Sequence, residues 1–360
     1  MTERHILVVA HTGRDESLEA GVTVCRLLAD AGLTPVVAAD SVDDLRAATG
    51  GAALRVLDDS DTGEARDVAV GDIELVIVLG GDGTILRAAE LVRGGSAPLL
   101  GINLGHVGFL AESERDNLTD AVARALNRDY LVEERMTLSV RVKVDGEVIW
   151  QTWALNEATV EKASRERMLD LAVAVDGRPL TSFGADGVVM ATPTGSTAYA
   201  FSAGGPVVWP SLDALLMVPL SAHALFARPL VVGPNSSLSV DVLDRTGATG
   251  VLWCDGRRAF DLPAGARVVA RRSSTPVRLA RLHPGPFTDR LVHKFALPVN
   301  GWRGGAEVDA TPTGAITLPR ASDRDARGAV GGAGAPGADG VSDARDAEAT
   351  GADVTEGDAR

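Results

Sequence analysis

The chain has 360 residues, 45% of them apolar, and a formal net charge of −14, a length that supports two domains with full hydrophobic cores. No apolar run approaches the ~20 residues of a membrane span, and the acidic balance excludes general nucleic-acid binding, which needs a basic stripe. Cys25 and Cys254 make no disulfide framework, and neither has a Cys or His partner at metal spacing.

The N-terminus enters a strand pattern at once and lacks a signal-peptide layout, so the expected location is cytoplasmic. Short apolar runs at 5–10, 35–39, 74–79 and 97–103 read as strands. Helical patterns at 18–31, 42–48, 85–92 and 118–127 alternate with them. Such alternation predicts a parallel sheet with helices on its faces, here assigned to residues 1–128. The first strand runs into Ala10-His11-Thr12-Gly13, so the Gly-x-Gly-x-x-Gly fingerprint of nicotinamide dehydrogenases is absent.

The second half reads differently. Residues 138–144 alternate, Asp145-Gly146 signals a hairpin turn, and 148–154 continues as a strand. Runs at 170–175, 188–191, 238–243, 251–254, 266–270 and 277–282, with a second Asp-Gly at 176–177, predict a β-rich domain over 129–282. Residues 283–303 are expected to close the fold, with a helix at 288–295. From Gly304 onward the chain is rich in Gly, Ala and Asp, and carries eleven acidic and five basic residues. That net of −6 leaves −8 for the rest, and the composition predicts a disordered tail over 304–360.

Four segments carry the chemistry. Leu-Val-Ile-Val-Leu-Gly-Gly-Asp-Gly-Thr, ending at Thr84, is a buried strand, a tight loop and a helix start. Backbone N–H groups at Gly80, Gly81 and Gly83, with Thr84, are suited to cradling a polyanion such as a triphosphate. Asp82 repels phosphate, so its roles are to hold a metal, accept a proton or bind a hydroxyl; filling its own turn is the plain alternative. Gly101-Ile-Asn-Leu-Gly-His-Val-Gly-Phe109 forms either a ligand floor with Asn103 or an ordinary strand-to-loop corner, and His106 is more ordinary than catalytic. Asn156 and Glu157 are neighbours in a strand-like run, so one of them faces away from a site unless a bulge re-aims it. The run from Asp186 to Gly205 leads a strand into Thr192-Pro-Thr-Gly-Ser-Thr197, where a short helix starts, and Tyr199 is suited to stacking on a base.

Lysine occurs only at 143, 162 and 294, never after glycine, which excludes a Walker-type phosphate loop. The protein-kinase signature set has no counterpart either. An acidic body must therefore neutralise phosphate with local arginines, backbone amides and a divalent cation.

Gly80-Gly-Asp-Gly-Thr84, Asn103-Leu-Gly-His-Val-Gly-Phe109, Asn156-Glu157 and the segment Asp186 to Ser202 stand in the order and rough spacing of the NAD kinase family, which the chain resembles over residues 4 to 303. Lipid kinases and phosphofructokinases carry similar Gly-Asp-Gly loops, but the Asn-Glu and Thr-Pro-Thr-Gly-Ser-Thr-Ala-Tyr elements are far more specific. Phe287-Thr-Asp-Arg-Leu-Val-His-Lys-Phe and Gly301-Trp-Arg303 look like the actinobacterial branch.

The resemblance implies an α/β N-terminal domain, a β-rich NAD-binding C-terminal domain and a site between them. It implies phosphoryl transfer from ATP, another triphosphate or polyphosphate to the 2′-hydroxyl of the adenosine ribose of NAD, giving NADP. Asp82 matches the general base. Asp82, Gly83, Arg87, Asn156, Glu157, Arg167 and Asp186 match NAD-contacting positions, as do Thr197, Ala198, Tyr199, Ala200, Phe201 and Ser202. Arg257 and Gly184 depart from residues that some relatives carry, so no contact is assigned to them. A divalent cation, Mg²⁺ by preference, and a homodimer or homotetramer are implied as well; a nucleic-acid or membrane partner is not. A lipid or sugar kinase sharing the Gly-Asp-Gly loop, or a non-catalytic dinucleotide sensor, are the competing readings. Lipid against NAD as substrate separates the first, and turnover with ATP and NAD separates the second.

Overall fold

The computed structural model describes residues 3–58, 68–105, 108–114, 117–164, 167–245, 247–283 and 285–299. The expected tail at 304–360 and His106 lie outside them. The strand Ile73–Leu79 is apolar at six of its seven positions and buried on both faces, as a central strand of a parallel sheet must be. Alternate residues serve opposite cores. Leu75, Ile77 and Leu79 join Ile6 and Val8 beneath the helices Asp15–Asp30 and Leu118–Leu126, which add Val24, Leu28, Ala121 and Val122. Val76 and Val78 join Leu7 and Val9 on the other face, covered by Ile85, Leu86 and Ala89 of the helix Asp82–Leu91.

Among the described residues this sheet has nine strands, in the order Val68–Ala69, Arg55–Asp58, Val36–Val37, His5–Ala10, Ile73–Leu79, Leu99–Asn103, Val277–Arg281 and Leu131–Arg135, with Ser113–Glu114 beside Leu99–Asn103. All pairings are parallel except the last in the row, Val277–Arg281 with Leu131–Arg135. The chain thus leaves this sheet after residue 135 and returns to it at 277.

Between those points the described residues form two six-stranded antiparallel sheets. One has the order Glu147–Ala154, Leu138–Val144, Arg267–Arg272, Ser237–Val242, Leu169–Val175, Arg178–Ala185; the other, Leu230–Val232, Leu215–Leu220, Gly187–Ala191, Glu157–Lys162, Gly250–Cys254, Arg258–Leu262. Leu138, Val140, Val142, Leu171 and Val240 of the first share one buried cluster with Ala158, Val160, Val188, Met190 and Leu252 of the second. The two sheets therefore pack face to face, as the alternating pattern requires. Asp145-Gly146 and Asp176-Gly177 make the expected hairpin turns with positive φ at both residues. A three-residue turn, Asp255-Gly256-Arg257, with positive φ at its first two residues, joins Gly250–Cys254 to Arg258–Leu262.

The expected class, a parallel sheet with flanking helices plus a β-rich half, is what the structure shows. Several strands lie outside the expected set. Leu215–Leu220 is a continuous apolar run holding Pro219 within a paired strand, which masks the period-2 signal. Leu131 and Val132 are exposed on their strand at the sheet edge, where packing imposes no alternation.

Candidate active site

The strand Ile73–Leu79 ends at Gly80, whose N–H donates to the Ile102 carbonyl at 2.9 Å. Gly80 has φ +147°, and a Cβ there would stand 2.4 Å from Thr84 Oγ1, so the turn requires glycine. Gly81 and Gly83 are different: both are exposed and a Cβ at either would meet open space. Nothing within 4 Å of either position needs it to be small. The helix Asp82–Leu91 starts here without a side-chain cap, so its first N–H groups face the same space.

Asp82 does not bond its own turn. Its Oδ2 accepts the Phe109 N–H and its Oδ1 the Leu110 N–H, both at 3.1 Å. A Cβ at Gly108 would meet Asp82 Oδ1 at 2.4 Å. The second Gly-rich segment therefore seats the Asp82 carboxylate.

Asn156 and Glu157 are both buried. The chain bends at Leu155–Asn156 as it passes from Glu147–Ala154 in one sheet to Glu157–Lys162 in the other. Leu155, fully buried, joins Ile85 and Leu110 in the core under the Asp82 helix, which fixes the bend beside the loop. Asp255 grips the bend: its carboxylate accepts the Leu155 N–H at 2.9 Å and the Asn156 N–H at 2.7 Å, with a weaker bond from Glu157 at 3.4 Å. Arg258 Nη2 donates to Asp255 at 2.7 Å, and its Nε lies 2.9 Å from Glu90 on the Asp82 helix. Arg257 donates to the same Glu90 at 2.8 Å. One chain of charges therefore ties the helix that presents Asp82 to the bend that presents Asn156 and Glu157.

Glu157 accepts the Tyr199 backbone N–H, while its Oε2 is buried with no partner among the described residues. Burial first, and then the Asp255 charge, push its carboxyl up to about 8. An unfolded glutamate titrates near 4.3, so as pH rises from about 4.3 to about 8 the unfolded state loses its proton first and folding is progressively disfavoured. Glu157→Gln, measured by thermal unfolding, should come close to the parent at about pH 4, below the unfolded value, and melt higher at pH 9. An equal difference at both pH values would show that Glu157 titrates normally.

The segment after Gly187–Ala191 is held mostly from within. Thr192 Oγ1 donates to the Leu155 carbonyl at 2.5 Å and accepts the Gly195 N–H at 3.1 Å. A Cβ at Gly195 would lie 2.0 Å from the Asn156 carbonyl oxygen. Ser196 bonds the Pro193 carbonyl and the Val208 N–H. These buried hydroxyls are thus spent on shape, and the helix they lead into, Tyr199–Ser202, is a single turn. Thr197 and Ala198 are half-buried and Ala200 fully buried. Tyr199, Phe201 and Ser202 are exposed, and Phe201 lies against Phe295 with ring centroids 4.5 Å apart.

Tyr199, Ser202 and Asp186 line one cleft of about 540 Å³ together with Glu161 and Lys162. Lys162 Nζ sits 2.5 Å from Asp186 and holds that carboxyl below its ordinary range. The Tyr199 hydroxyl bonds Glu161. Arg87, expected among the NAD-contacting residues, pairs with Asp40. Arg167 is exposed ahead of the strand Leu169–Val175. Sequence reasoning passed over Asp255, Glu90 and Arg258; the Asp-Gly turn signal at 255–256 was the one available clue.

Residues 6–130 match the family model of the ATP-NAD kinase N-terminal domain, and residues 155–282 that of the ATP-NAD kinase C-terminal domain. The chain belongs to the NAD kinase family. It is similar to the NAD kinase of Leifsonia xyli subsp. xyli, 69% identical over 302 residues, covering 84% of this chain and 97% of the relative. The NAD kinase of Thermobifida fusca is 57% identical over 309 residues, 85% of this chain and 93% of the relative. The actinobacterial likeness read from the sequence is borne out by these NAD kinases. Among solved structures, yeast NADH kinase complexed with NADH superposes with a TM-score of 0.72 at 22% identity, over 84% of this chain and 90% of the other. An Archaeoglobus fulgidus NAD kinase in complex with ATP gives 0.58 at 24% identity, over 81% and 98%. At those identities the likeness speaks for the fold. Membership makes the chain a phosphotransferase, an NAD kinase using NAD and ATP. Among the described residues no helix is long and apolar enough to cross a membrane.

Proposed function

We propose that this NAD kinase moves the terminal phosphoryl group of ATP to the 2′-hydroxyl of the adenosine ribose of NAD, with Asp82 taking the hydroxyl proton. The seat of Asp82 carries this reading. Two backbone N–H groups fix the carboxylate at the mouth of the glycine loop, and each oxygen keeps a lone pair for a substrate hydroxyl. A ribose hydroxyl is a poor nucleophile, and a placed base supplies ~10²- to 10⁴-fold. The open backbone at Gly81 and Gly83, with Gly80 and Thr84 shaping the turn, receives the phosphates. Asn156 and the unpartnered Glu157 oxygen bind polar groups of NAD, and Tyr199 stacks on a base beside Asp186 and Ser202.

The donor enters as its Mg²⁺ complex. Mg²⁺ in phosphoryl transfer is held largely by substrate phosphates with one or two carboxylates. Among the described residues no group of three His, Cys, Asp or Glu forms a protein-only site. Excess EDTA should abolish NADP formation, and added Mg²⁺ should restore it; full turnover in EDTA would refute a cation requirement. We also propose a homodimer or homotetramer, to be read by light scattering on the eluting protein.

The decisive assay incubates purified protein with NAD or NADH, Mg²⁺ and a panel of donors including inorganic polyphosphate. NADP(H) is read out through a coupled dehydrogenase. Absence of product with every donor would overturn the proposal.

A further inference from the structure

The helix Phe287–Phe295 lies over the segment that seats Asp82: the Phe109 ring is 5.9 Å from Phe287 and 5.7 Å from Phe295. From the middle of that helix Arg290 Nη1 donates to the Phe109 carbonyl at 3.0 Å and Nη2 to Glu112 at 2.8 Å. Arg281 Nη1 donates to the Leu110 carbonyl at 3.1 Å and to the same Glu112 oxygen at 2.9 Å. Two arginines and one buried carboxylate thus hold the outer edge of the segment whose inner edge holds Asp82.

One peptide unit is shared by both contacts. The Phe109 carbonyl that accepts Arg290 and the Leu110 N–H that donates to Asp82 Oδ1 belong to the same amide plane. A cation on the carbonyl polarises that amide and makes its N–H a stronger donor, and bonds in such a chain reinforce one another. It also fixes the plane, and so the direction in which the carboxylate's remaining lone pairs point.

We infer that Arg290 is a positioning residue for the reaction, acting on Asp82 through the Phe109–Leu110 peptide. The inference rests on Asp82 being the base. It gives the C-terminal helix a part in the chemistry beyond packing, a part its ring contacts do not require. The hydrogen bonds of Arg290 go to the Phe109 and Ala111 carbonyls and to Glu112. Its loss should therefore spare NAD binding and slow turnover, since a small misplacement of a reacting group far from the mutation can lower rate ~10²-fold.

The test is a double-mutant cycle on the full chain with steady-state kinetics for NAD. Arg290→Met keeps the apolar stem and removes the fork; kcat should fall ~10- to 100-fold with KM for NAD within about twofold. Arg290→Lys keeps the charge and should recover part of that loss. In an Asp82→Asn background, Arg290→Met should change kcat by less than about twofold, because its target has gone. Equal losses in both backgrounds, or a raised KM with unchanged kcat, would overturn the inference. If Arg290→Met does not fold, Arg290→Lys is read in both backgrounds by the same criteria. Asp82→Asn alone separates the two ideas. Near-normal turnover there removes the base, and the inference with it. A slow Asp82→Asn beside a fully active Arg290→Met removes only the role of Arg290.

Discussion

Asp82→Asn is expected to lower turnover by ~10²-fold or more while NAD affinity changes by no more than a few-fold. Asparagine keeps the size and shape, and its carbonyl oxygen still accepts one of the two N–H groups that hold Asp82. Its amide cannot take a proton, and its NH₂ faces the second donor, so the seat loosens without emptying. A residue that merely completed a turn would tolerate asparagine, which is among the best replacements there. The measurement pairs steady-state kinetics with equilibrium NAD binding. Near-normal turnover would remove Asp82 from the mechanism; lost binding with unchanged turnover at saturation would make it a substrate anchor.

Asp255→Ala is expected to destabilise the fold by about 3–5 kcal/mol, the range for breaking a buried ion pair from one side. Burial pushes this carboxyl up, against the pull of three backbone N–H groups and Arg258. Alanine leaves the Leu155 and Asn156 N–H groups buried without an acceptor. It also strips Arg258 of one of its two carboxylate partners. Asp255→Asn should lose less, because one acceptor oxygen remains. Urea unfolding at pH 7 reads both. A change below about 1 kcal/mol for Asp255→Ala would show that the bend at Leu155–Asn156 is held by Leu155 packing alone. Turnover should fall with stability here, since the same bend presents Asn156 and Glu157.

Four helices and the strands at 5–10, 36–37, 73–79 and 99–103 were legible because their signals are local, whereas Arg55–Asp58, Val68–Ala69 and Ser113–Glu114 were not. Ile73–Leu79 is too short and too apolar for anything but a two-faced strand, and three glycines punctuate its end. The Asp-Gly turns at 145 and 176 were equally plain, since only a narrow set of residues adopts positive φ twice in a row. Asp82, Asn156 and Glu157 stood out as polar groups among apolar runs. The Leu131–Arg135 and Val277–Arg281 pairing was not legible, because two strands far apart in the chain complete the first sheet without any turn signal to announce it. The same holds for the bend at Leu155–Asn156: alternation predicted that one of Asn156 and Glu157 faces away, yet both are buried where the chain changes sheet.

By itself, then, the sequence determined the two-part α/β and β-rich layout, the glycine loop and the residues fit for a nucleotide, all of which depend on neighbours within a few positions. Only the tertiary structure decided what holds them. The partners of Asp82 are main-chain N–H groups at 109 and 110, and those of Asn156 and Glu157 come from Asp255 and Tyr199. Arg87 pairs with Asp40, 47 residues away. Backbone donors carry no residue signature, and a side chain's partner across sixty or a hundred residues is set by where the sheets cross, a distance that periodicity does not encode.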